Sequence, residues 1–281
     1  MSHVSPSSPQ SLHFSHQTAA ERYAHGRPRF HQILLPQIRA IIGERKKALA
    51  VDVACGTGNS TVALIELADR VIGTDISPEM LSQTPNLPNV SWLLSPAETL
   101  PFPDHSIDLV TVTMALHWID RSRFLPEVRR ILGSDGWMLV ISNRFRAEMI
   151  GNPAFHEWCR NALYARFTTP PRYPDTFTDQ EALAHGLRFV ARETYTNPIM
   201  LSRDDLVVYF LTQSNFIARI EEGSETVESI SAWLREELDP FFTNELETFM
   251  FGGWIWYLQR DVQRDVQRGG EWNAPEGTTS V

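Results

Sequence analysis

Residues 48–59 read Ala-Leu-Ala-Val-Asp-Val-Ala-Cys-Gly-Thr-Gly-Asn, and Asp52, Ala54, Cys55, Gly56 and Gly58 are the positions that decide its reading. An apolar run meets an acid near its end and then turns on two closely spaced glycines. Glycine adopts positive φ at little steric cost and leaves bare backbone against which a small charged metabolite can lie. Dinucleotide folds require G-x-G-x-x-G, whose third glycine lets the helix pack closely on the strand. Here Thr61 stands at that third position. The pattern is D-x-A-x-G-x-G, with the carboxylate of Asp52 inside the approach to the turn. It suits a ligand with a positively charged amino acid end better than a pyrophosphate.

Residues 71–81 read Val-Ile-Gly-Thr-Asp-Ile-Ser-Pro-Glu-Met-Leu, a second strand ending in the acid Asp75. A carboxylate there can accept both hydroxyls of a ribose as charge-assisted hydrogen bonds. Ser77 and Pro78 start a helix, serine as its N-cap and proline at its first position. Ile76 and Met80 fall beside the same acid. Further on, Ala97 and Glu98 form a pair ahead of a strand that opens at Asp108.

Taken in order, these segments resemble the class I methyltransferases, whose first motif reads D/E-x-G-x-G-x-G; Ala54 replaces the first glycine. The resemblance spans residues 48–143, and its type is that of the type 11, ubiquinone-biosynthesis and trans-aconitate methyltransferases. It implies S-adenosylmethionine as cofactor, held by Asp52, Ala54, Cys55, Gly56, Gly58, Asp75, Ile76 and Met80, with Ala97 and Glu98 at the adenine edge. Two more segments carry it. Residues 114–120, Met-Ala-Leu-His-Trp-Ile-Asp, match an A-x-H-W-hydrophobic-D run, which implies that Met114, His117 and Trp118 line the junction of cofactor and acceptor. Tyr23, Arg27 and Pro28 match a Y-x-x-x-R-P segment that closes over the cofactor, so Tyr23 and Arg27 are expected on the methionine carboxylate or on the substrate.

Each position also has a plainer reading. Asp52, Asp75 and Asp108 could cap neighbouring helices, Glu98 could be a solvated loop acid, and Tyr23 with Arg27 could be a solvated helix start. Cys55 is a small filler with no base placed beside it in sequence. His117 is the candidate general base, because an imidazole titrates near neutrality; its alternative is a hydrogen bond to a backbone carbonyl. Arg144 and Arg146 could hold an acceptor carboxylate or face water. No metal-ligating cluster is expected.

With 281 residues, 42% of them apolar and 10% aromatic, the chain can bury one large core or a core plus a small subdomain. Its net charge of −9 argues against a nucleic acid partner. Two cysteines form no disulfide framework, which fits a cytoplasmic location. Residues 1–17 lack the apolar core of a signal peptide, and no apolar run reaches the length of a membrane span.

Strands are expected at residues 48–53, 71–74, 90–94, 107–114 and 136–143, with helices at 30–42, 61–68 and 121–132. Apolar runs without alternation mean strands covered on both faces, as in a parallel sheet flanked by helices. After Asn143, helices are expected at 155–167, 204–215 and 228–238, and strands at 187–195 and 249–257, the last with a bulge at Gly252 and Gly253. The fold class is thus α/β: a doubly wound, Rossmann-like, seven-stranded and mostly parallel sheet, with a reversed last strand and a helical lid inserted around strand six. The expected domains are a mobile tail (1–20), a methyltransferase domain (21–260) and a C-terminal extension (261–281). Within the domain the cofactor core is 44–145, and the lid comes from 150–186 and 200–245. The extension repeats Asp-Val-Gln-Arg from Asp261 and again from Asp265, a solvated helix pattern.

The expected function is methyl transfer from S-adenosylmethionine to a small-molecule acceptor, at a carboxylate, hydroxyl or carbon nucleophile. Two other classes stay open: a nicotinamide-dependent oxidoreductase, disfavoured by Thr61, and a cofactor-binding module without turnover.

Overall fold

The computed structural model describes residues 17–261. One sheet holds eight strands: β1 (Lys47–Val53), β2 (Ala68–Asp75), β3 (Val90–Leu94), β4 (Ile107–Thr113), β5 (Leu132–Ile141), β6 (Arg144–Met149), β7 (Leu187–Leu201) and β8 (Glu247–Arg260). β3, β2, β1, β4 and β5 lie side by side and parallel. β8 runs antiparallel to β5 and, along its other edge, to β7. The parallel order and the reversed last strand are as the sequence predicts. The strand count is not: β6 is an eighth strand, which continues from the end of β5 and pairs with the first half of β8.

Helices α1 (Gln17–Gly26) and α2 (His31–Ile42) precede the sheet. The sheet's crossovers carry α3 (Asn59–Leu64), α4 (Pro78–Leu81) and α5 (Arg121–Ile131). Between β6 and β7 come α6 (Pro153–Trp158), α7 (Tyr164–Arg166) and α8 (Asp179–Ala184). Between β7 and β8 come α9 (Arg203–Phe210), α10 (Ser214–Glu221) and α11 (Val227–Leu238). Helix α1 begins inside the stretch expected as a tail, and Ala19 and Ala20 are fully buried there. Apart from Asp261, the Asp-Val-Gln-Arg repeat lies outside the described residues.

Successive residues of the central strands serve opposite faces. Val51, Val110, Met138 and Val140 point to one face and pack with Phe124, Leu125, Val128 and Ile131 of α5. Ala50, Leu109, Leu139 and Ile141 point to the other, against Leu34, Ile38 and Ile42 of α2. Each such large side chain contributes roughly 1.5–3 kcal/mol when fully buried. A third apolar cluster joins Phe155 of α6, Phe210 of α9 and Leu234 of α11 to Phe249 and Phe251 of β8. β6 thus gives the helical layer a sheet surface of its own.

Gly252 and Gly253 mark no bulge between β8 and β7, whose register runs straight through them. They solve a crowding problem where β5 gives way to β6. A Cβ on Gly253 would lie 2.0 Å from the Ser142 carbonyl oxygen, and one on Gly252 would lie 2.5 Å from that of Tyr195.

Candidate active site

The carboxyl ends of β1, β2, β4 and β5, the α1–α2 junction and the helical layer enclose a cavity of about 490 Å³. That size suits a small-molecule site. The turn after β1 supplies its floor. Ala54 has φ 54°, Gly56 57° and Gly58 85°, so every second residue of the turn is left-handed. Gly56 lines the cavity, and a Cβ there would sit 3.4 Å from Met80 Cε. Gly58 has another task. The space beside it is filled by Trp92 of β3, 2.5 Å from where its Cβ would be, so this glycine seats a ring beneath the turn rather than a ligand above it.

Asp75 ends β2 at the cavity wall. Gly56 N–H donates to Oδ2 at 2.8 Å and Ser77 N–H to Oδ1 at 2.9 Å, which fixes the carboxylate plane and joins it to the glycine turn. Each oxygen keeps acceptor capacity for a ligand. Burial pushes this carboxyl upward, and the backbone donors oppose the shift.

Asp52 is fully buried and is not on the cavity wall. It accepts from Ser60 Oγ at 2.6 Å, Thr61 Oγ1 at 2.7 Å and Thr111 Oγ1 at 2.7 Å. Thr61, which takes the place of a third glycine, is therefore one of the hydroxyls that tie the turn to α3 through Asp52. Cys55 lines the cavity, but burial and then the charges of Asp52 and Asp75 push its thiol far up, so it is no nucleophile at neutral pH.

The segment after β4 forms the next wall. Met114 has φ 57°, and its sulfur accepts from Asn143 N–H at 2.8 Å. Glu98 accepts from Asp120 N–H at 3.0 Å, which fixes this wall to the loop after β3. His117 and Trp118 lie against each other with ring centroids 4.7 Å apart. Burial, then the charges of Arg172, Arg144 and Arg27, push His117 down to about 3. The expectation that this imidazole titrates near neutrality fails because the ring is buried and, beyond that, because three guanidinium charges act on it.

Arg27 spans from the α1–α2 junction to the helical layer. Its guanidinium lies 4.8 Å from the Tyr23 ring centroid and 5.4 Å from that of Tyr209, and Nη2 donates to the Thr212 carbonyl at 2.9 Å. Arg144 stacks 4.7 Å from the Trp254 ring centroid and pairs with Asp175. Among the described residues, Arg27 Nε, His31 Nε2, Thr57 Oγ1, Thr113 Oγ1, Gln213 Nε2 and Trp254 Nε1 are buried without a hydrogen-bond partner. All six belong to residues of this one cavity. Buried polar groups left unpaired are costly; these six belong to residues that line the cavity, while Arg22 Nε and Thr74 Oγ1 belong to residues that do not.

A family model described as a methyltransferase domain matches residues 51–140. An uncharacterised methyltransferase of Mycobacterium tuberculosis is 30% identical over 188 residues, covering 63% of this chain and 76% of that protein. The chain belongs to the class I methyltransferase family. A Dictyostelium discoideum protein, provisionally named a methyltransferase, is 27% identical over 217 residues, covering 74% of this chain and 80% of its own. A solved structure from Anaeromyxobacter dehalogenans, provisionally assigned as a type II methyltransferase, shares the fold with TM-score 0.63 at 20% identity. It covers 84% of this chain and 98% of that one.

Membership of this methyltransferase family implies S-adenosylmethionine, and the cavity fits it: a turn with left-handed glycines, an oriented acid at the end of β2 and unpaired polar atoms on residues that line it. Of the residues named from sequence, Tyr23, Arg27, Ala54, Cys55, Gly56, Asp75, Ile76, Met80, Ala97, Glu98, Met114, His117 and Trp118 all line the cavity. Asp52 and Gly58 stand behind it. Missed from sequence were His31, Tyr164, Arg172, Asp175, Tyr209 and Gln213, which reach the methyltransferase's cavity from segments without a motif. Arg172 sits in a Pro-Pro-Arg-Tyr-Pro loop, and nothing local says that this loop returns to the carboxyl edge of the sheet. Among the described residues no helix is long and apolar enough to cross a membrane, and no metal-ligating cluster occurs.

Proposed function

We propose that the protein transfers a methyl group from S-adenosylmethionine to an anionic small molecule, with a carboxylate oxygen as nucleophile. The observation that carries this reading is the set of three guanidinium groups, Arg27, Arg144 and Arg172, around His117 in the same cavity as the glycine turn. Bound there, the cofactor supplies an electrophilic methyl on a sulfonium; the acceptor gains that methyl and the C–S bonding pair stays with sulfur, leaving a neutral thioether.

The chain's residues divide this work. Asp75 presents a fixed carboxylate to the ribose hydroxyls. Ile76, 54% exposed, and Ala97 both line the cavity, apolar surface that a flat base would cover. Glu98 takes the edge of that base. Arg144 and Arg172 hold the acceptor as an anion and orient it, and orientation alone is worth on the order of 7–11 kcal/mol. A carboxylate has no proton to lose. His117, neutral and very weakly basic, is a poor acceptor for the proton of a phenol or an amine, so the imidazole serves as wall and hydrogen-bond partner. Tyr164, Tyr209 and Trp254 line the same cavity and suit an apolar body behind the acid group.

Incubating the protein with methyl-labelled S-adenosylmethionine and a metabolite extract tests this. The expected product is a methyl ester, which alkali cleaves to labelled methanol. Label that survives alkali points to methylation of a hydroxyl, carbon or nitrogen. Binding without any transfer points to a module that lost catalysis.

A further inference from the structure

Between α7 and α8, residues 168–178 form a strap without regular structure that carries Pro170, Pro171 and Pro174. Buried Phe167 and Phe177 flank its span across the cavity. Between these anchors it is tied lightly. Tyr173 N–H donates to the His117 carbonyl at 3.0 Å, and Arg121 donates to the Pro174 carbonyl. Its third tie is the ion pair of Asp175 with Arg144. The same strap brings Arg172 to the cavity wall, where among the described residues no carboxylate lies within ion-pair reach of it.

We infer that Asp175 is an internal stand-in for the acid group of the acceptor. It occupies Arg144 until an anionic acceptor displaces it. This inference rests on the anionic-acceptor reading and adds to it a residue that sets affinity by competition. The exchange is favourable for charge reasons. Asp175 meets one guanidinium, whereas an acid inside the cavity meets Arg144 and Arg172 together. The Asp175 carboxylate is partly solvated, with 24% of its side chain exposed, so the pair it gives up is a weak one. Arg144 keeps its stack on Trp254 through the exchange and needs no new orientation.

The test uses the full chain saturated with S-adenosylhomocysteine, with benzoate as probe and benzamide as its uncharged counterpart, both followed by calorimetry. Asp175→Asn is expected to tighten benzoate binding about three- to fivefold, the size of a lost exposed ion pair. Benzamide binding should not change, and the gain should shrink at high salt. Asp175→Ser, which also removes the charge, should move the same way. Were Asp175 only a prop for Arg144, both variants would weaken benzoate, and weaker or equal binding overturns the inference. Arg172→Ala separates the two levels. If wild type does not prefer benzoate over benzamide, or Arg172→Ala leaves that preference intact, the anionic-acceptor reading itself fails.

Discussion

Single residues carry most of what this site can do, and His117 shows how position overrules residue type. Its imidazole lies at about 3, below its ordinary value of 6.5. The unfolded chain takes up a proton as pH falls through about 6.5, while the folded chain refuses one until about 3. The stability linked to His117 is therefore complete above about 6.5 and is lost progressively below it, at no more than about 1.4 kcal/mol per pH unit. Burial holds His31 at about 4, with the same sign. His117→Ala should flatten the loss of stability between pH 7 and 5, as measured by urea unfolding, and should leave S-adenosylhomocysteine affinity within about twofold. Loss of cofactor binding in that variant would make His117 a structural support of the cofactor site. The sequence identified His117 as a site residue but not its protonation, because its burial and the charges of Arg27 and Arg172 arise from segments far along the chain.

At the scale of elements, the stretch 48–143 was legible because strand, turn and helix there are written locally. Apolar runs, glycines and a Ser-Pro start each specify their own few residues. What followed was less so. β6 is not legible in the sequence because Arg-Phe-Arg-Ala-Glu-Met becomes a strand only by pairing with β8, a partner about a hundred residues away. The helix expected at 204–215 is broken after Phe210, and α10 begins at Ser214. Gly252 and Gly253 of β8 mark the close approach of three strands rather than the bulge the sequence suggests. Gly253→Ala should cost about 3 kcal/mol, because its Cβ meets the Ser142 backbone and not a side chain that could turn aside. Chemical denaturation measures this, and a loss under about 1 kcal/mol would show that β5 and β6 can part there without strain.

For the whole molecule, the sheet, the α1–α2 junction and the helical layer each supply part of one cavity. Asp75 and the glycine turn come from the first, Arg27 from the second, Tyr209 and Gln213 from the third. The part of that cavity lined by the glycine turn and Asp75 was readable from motifs. The part lined by Arg172 and Asp175 was not, since both lie in a loop with no pattern of its own. On the function proposed above, the cavity holds S-adenosylmethionine through the carboxylate fixed at the end of β2. Calorimetric titration of wild type and Asp75→Asn with S-adenosylhomocysteine and with NAD tests it most directly. One site per chain is expected for S-adenosylhomocysteine and none for NAD, with Asp75→Asn weakening the former by roughly tenfold or more, the loss of charge-assisted bonds to the ribose. Equal affinity in the variant, or a site that takes NAD instead, would show that the carboxylate of Asp75 does not hold this cofactor.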